Sequence, residues 1–95
     1  MTFDEFRESL GNDEPPVELN AYQRALWEDG RGNWTGAHGL VQDEPTTEAA
    51  WIHAYLHRKE GDLANAGYWY RRCDMPVCED PLDIEWERIV RALLE

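Results

Sequence analysis

The chain has 95 residues, with 20 acidic and nine basic side chains and a formal net charge of −11. A chain this short forms one domain and buries about 60–65% of the surface its unfolded form exposes, which leaves little room for a deep, enclosed active site. The acidic balance repels phosphate backbones and anionic lipid, so nucleic acid and membrane surfaces are excluded as expected partners. Five Trp, four Tyr and two Phe give a small core enough large side chains to fold, and argue against disorder.

Residues 1–16 are read as an N-terminal cap helix and a linker. Thr2 and Glu5 have capping-box spacing, and Phe3, Phe6 and Leu10 follow at helical spacing. Gly11, Pro15 and Pro16 then break the chain. Residues 17–43 form a first helical hairpin. Its first helix is expected from about Glu18 to Glu28, closed by Gly30, Gly32 and Asn33, and its second from about Trp34 to Gln42.

Residues 44–74 form a second hairpin. Pro45 and Thr46 open its first helix, Gly61 caps that helix, and Asp62 N-caps the next one through Arg72. Residues 75–95 are a connector and a C-terminal helix, with Asp80 as expected N-cap and Pro81 as first helical residue. Leu82, Trp86, Ile89 and Leu93 make its apolar stripe. No segment carries a strand signal, so the expected fold is a single all-α domain. MTFDEFRESL has no basic start followed by an apolar run, and no stretch approaches the about eighteen apolar residues of a membrane span. The expected location is the cytoplasm, with Cys73 and Cys78 as reduced thiols.

The two hairpins repeat with a period of 29 residues. Ala25, Gly32, Trp34, Ala37 and Val41 correspond to Ala54, Gly61, Leu63, Ala66 and Tyr70. Small residues let paired helices approach, the Gly takes the left-handed conformation that ends the first helix, and the large residue two positions on is expected to pack back across the turn. The second unit resembles a tetratricopeptide repeat, with Ala54, Gly61, Asp62, Ala66 and Tyr70 at that family's small, turn, small and aromatic positions. It departs from the pattern in three ways. Trp51 stands one residue late, no Pro ends the unit at the usual place, and the period is shorter than the usual roughly 34. The run from AHGLVQ through AWIHAYLHRKEGDLANAGYWYRR, with the later Leu82–Trp86 segment, is also similar to a set of small bacterial proteins. That resemblance implies boundaries and no activity. Two repeats are too few to be stable alone, so the flanking helices, residues 3–10 and 81–94, are expected to cap the open ends.

His53 and His57 stand four apart on one helix, with Glu60 three further on and His38 on the neighbouring hairpin. A set of His53, His57 and Glu60 suits zinc or iron. Because that pair lacks a convincing third and fourth ligand, the sequence-based expectation is a metal-free protein without cofactor, and metal binding is the alternative function. Cys73 falls at a small core position and is expected to be buried, and Cys78 to be exposed. No phosphate loop, nucleophile motif or acid–base pair points to an enzyme.

The leading expectation is therefore a non-enzymatic, protein- or peptide-binding module. Tyr22, Trp51, Tyr55, Arg58 and Lys59 are expected on one inner face, with Trp51, Tyr55 and Lys59 on a single stripe. Aromatics beside cations suit an acidic peptide. A homodimer burying the same stripe is the other partner expected, and either requires Tyr55 to be partly exposed.

Overall fold

The computed structural model describes the whole chain, Met1–Glu95. It contains six helices and no strand: α1 (Phe3–Ser9), α2 (Ala21–Gly30), α3 (Trp34–Val41), α4 (Thr47–Glu60), α5 (Leu63–Arg72) and α6 (Leu82–Leu94). No helix is long and apolar enough to cross a membrane.

Local chemistry explains most of the boundaries. The Thr2–Glu5 capping box closes in both directions, and the Thr46 and Asp62 side chains accept backbone N–H bonds from Ala49 and Asn65. Gly32 and Gly61 end the first helix of each pair at φ +83° and +91°, a region that side chains with a Cβ rarely adopt.

Two boundaries differ from expectation. Helix α2 starts at Ala21, because Asn20 and Gln23 form a reciprocal capping box there. Asp80 does not cap α6. Its carboxylate instead accepts from Arg88, 2.7 Å away, and the N-cap Pro81 offers no side-chain bond.

The most extensive packing joins α2 to α3 and α4 to α5, and α3 packs on α4. Ala25, Ala37, Ala54 and Ala66 are all buried, so each pair closes on its small residues as the 29-residue spacing requires. The two large residues after the turns behave differently. Trp34 is half-buried and donates its indole N–H to the Leu56 carbonyl on α4, whereas Leu63 is 67% exposed. Trp34 has a following helix to lean on, and Leu63 has none.

Helix α6 does not close the end of the α4–α5 pair. It lies against both α2 and α4, and α1 packs on α6 from outside. Ile89 and Val90 are buried with Leu26, Tyr55 and Leu56, and Trp86 meets Phe3 and Phe6 at ring separations of 5.9 Å. The Trp86 indole donates to the Leu26 carbonyl at 3.0 Å. Both flanking helices thus serve one shared core rather than two separate ends.

Candidate metal centre

Helix α4 presents different chemistry on its two sides, and the inner side follows directly from where α6 lies. Tyr55 is buried, correcting the expectation that it is partly exposed. Its hydroxyl donates to Asp29 at 2.9 Å, and Lys59 donates to the other oxygen of the same carboxylate at 2.9 Å. Arg58 donates to Glu85 at 2.9 Å and also to the Asp80 carbonyl. Tyr70 donates to both oxygens of Glu85, at 2.7 and 2.9 Å.

Asp29 and Glu85 are both buried, and each has a cation and a phenol. Burial, with the neighbouring carboxylates, holds both phenols well above their ordinary pKa. Trp51 is half-buried against the core. Tyr22 is half-buried, with its hydroxyl accepting from Thr46 at 2.9 Å. Tyr55, Arg58 and Lys59 of the expected inner face are thus engaged with Asp29, Asp80 and Glu85, where the chain's own α6 packs. What stays open is a cleft of about 370 Å³ bordered by Asp29, Tyr55, Lys59 and Trp86.

The outer side of α4 carries His53 and His57, which meet His38 from α3. One ring nitrogen from each of the three lies within 4.8 Å of the others. The Nε2 atoms of His38 and His53 are 2.9 Å apart, so one ring donates a hydrogen bond to the other. Trp34 stacks on His38 at 4.9 Å and Trp69 on His53 at 4.0 Å, so the cluster is walled by indoles. His53 and His57 are buried and His38 is half-buried. Burial, followed by the neighbouring rings, lowers the pKa of His53 to about 4, and burial followed by His57 lowers that of His38.

Glu60 takes a different place from the one expected. Its carboxylate lies 2.6 Å from Nδ1 of His57. A carboxylate only accepts, so Nδ1 carries a proton, and in the neutral ring Nε2 is then the nitrogen with the lone pair. The side-chain amide of Asn65 approaches that Nε2 at 3.3 Å. A carboxylate on the far nitrogen fixes ring orientation and raises the basicity of the near one, as partners of metal-bound histidines do.

His38 is the member that spacing alone left unassigned. It lies 15 residues before His53, and only the packing of α3 on α4 brings it in. Trp34, Asn65 and Trp69 were not singled out for this site either. A signal existed in the 29-residue register, since the α3 and α5 faces that hold the paired alanines must flank α4.

The cysteines lie apart from this cluster. Both are free thiols, Cys73 half-buried with its thiol donating to the Tyr70 carbonyl at 3.4 Å. Burial raises its pKa. Cys78 is half-buried rather than exposed, because it packs beside Ala54, Ala66 and Tyr70.

The chain matches no known family model, no curated protein sequence and no solved structure.

Proposed function

We propose that this chain is a small, non-enzymatic protein that binds one transition-metal ion through His38, His53 and His57. The observation that carries the reading is the convergence of three imidazole nitrogens, from two helices, within 4.8 Å. Tetrahedral zinc with Zn–N bonds of about 2.0–2.1 Å places its nitrogens roughly 3.4 Å apart, so small ring rotations suffice. Imidazole donors suit zinc, copper or nickel, and the lowered pKa values of His38 and His53 favour uncharged rings near neutral pH. An ion need then only break their mutual hydrogen bond and shift one proton from Nε2 to Nδ1.

This reading reverses the expectation of a metal-free protein, which rested on the want of a third ligand. His38 supplies it. An ion here would tie α3 to α4, and so one helix pair to the other. We read those pairs as tetratricopeptide-like units on the support of their positive-φ glycines and buried alanines at 29-residue spacing.

The test is metal content and melting of protein purified without a polyhistidine tag. The reading requires a metal-loaded form whose melting temperature falls on chelation, in wild type but not in His38→Ala. A melting temperature that zinc and chelator both leave unchanged would refute it.

A second reading, a surface for an acidic partner, draws support from α5. Leu63 and Tyr68 are 67% and 40% exposed there, and neither Arg71 nor Arg72 has a carboxylate partner. The expected inner face would admit a peptide only by displacing α6. Loss of binding to an acidic peptide on Arg71→Glu, with the fold intact, separates the α5 surface from the inner face.

A further inference from the structure

We propose that Asn65 is the fourth ligand of the metal centre, through its side-chain oxygen. The proposal rests on the three-histidine reading and adds a residue from a third helix. The Asn65 amide nitrogen sits 3.3 Å from Nε2 of His57, against the lone pair that this nitrogen offers when the neutral ring carries its proton on Nδ1. A metal ion must take that same lone pair, because Glu60 holds the other ring nitrogen.

An N–H then faces a cation, which is unfavourable. A half-turn of the amide brings Oδ1 to the position now held by Nδ2, exchanging a donor for an acceptor with almost no change in shape. To leave room for an ion at about 2.0–2.1 Å from Nε2, the oxygen must also swing off the lone-pair axis, a movement the rotatable Asn side chain allows.

The position is also held firmly. Asn65 lies in the first turn of α5, and its backbone N–H donates to the Asp62 N-cap at 3.3 Å. Glu60 cannot take the role while bonded to Nδ1, on the far side of the His57 ring. The site is then three nitrogens and one neutral oxygen, closed to further ligands. That composition fits a holding site better than a catalytic one, which keeps a position open for water or substrate.

The experiment measures zinc affinity and the visible spectrum of the cobalt(II)-substituted protein for wild type, Asn65→Ala, Asn65→Asp and His38→Ala. Circular dichroism checks that each variant is folded. Asn65→Ala is expected to bind zinc at least about tenfold more weakly and to shift the cobalt bands as water replaces the amide. Asn65→Asp, which keeps an oxygen in place and adds charge, is expected to bind at least as tightly as wild type. If Asn65→Ala retains wild-type affinity and an unchanged cobalt spectrum while His38→Ala loses zinc, the fourth-ligand proposal fails and the three-histidine site stands. If wild type binds neither metal, both fail.

Discussion

The two sides of α4 bury polar groups under opposite rules. On the inner side, Asp29 and Glu85 are each neutralised by a cation and bonded by a phenol. Nothing is left over there for a ligand to satisfy. On the outer side, three imidazoles face one another, and His38 and His53 are joined by a single Nε2–Nε2 hydrogen bond. A closed ionic network explains its own burial as structure. On the proposed metal-binding reading, three converging imidazoles are instead a donor set for an ion. The difference teaches that a set of aromatic and basic residues on one helix stripe, the feature that first suggests a binding groove, is here engaged in internal ion pairs and hydrogen bonds.

Breaking the inner side is expected to have the largest effect. Glu85→Ala strips the partner from Arg58 beneath α6 and should cost about 3–5 kcal/mol of stability, measured by urea denaturation. A loss under about 1 kcal/mol would mean that the pair is solvated and the inner side is not closed.

Tyr55→Phe sharpens the same point with a smaller change. It removes one bond to the buried Asp29 carboxylate, and about 1–2 kcal/mol is expected, with no change in sedimentation. A shift in association without a shift in stability would return Tyr55 to the role of a binding residue.

The outer side is probed through pH. The folded-state pKa of His53 is lowered to about 4, and that of His38 is also lowered. Between the unfolded value of about 6.5 and the folded value, the unfolded chain binds more protons. Stability from these groups is therefore complete above about pH 6.5 and declines as pH falls toward 4. His53→Gln should flatten that part of the stability profile of the metal-free protein. An equal slope in both proteins would mean that the cluster is open to water.

An effect no larger than that of Tyr55→Phe concerns the turn that follows α4. Gly61→Ala places a Cβ at φ +91° and should cost about 1–2 kcal/mol without altering metal affinity.

Helix existence was legible because it is written locally. Thr2 with Glu5, Thr46, Gly61 and Asp62 each act within a few residues of their own position. The start of α2 was misplaced because Leu19 extends the apolar stripe, while the capping box of Asn20 and Gln23 sets the end. Asp80 was misread because its partner, Arg88, lies eight residues on.

The sites were less legible, since both depend on which helix covers which. The stripe of Trp51, Tyr55 and Lys59 was visible, and so was the complementary stripe of Leu82, Trp86, Ile89 and Leu93. Nothing in either pattern says that one fills the other. The histidine cluster was half legible: the four-residue spacing of His53 and His57 gives two ligands, but His38 and Asn65 arrive from α3 and α5 through packing alone.

Zinc titration calorimetry on chelator-stripped, tag-free protein tests the central claim most directly. The account predicts one zinc per chain in wild type, and affinity lowered at least about tenfold in both His38→Ala and His53→Ala. Absence of saturable binding, or binding that survives both substitutions undiminished, would contradict it.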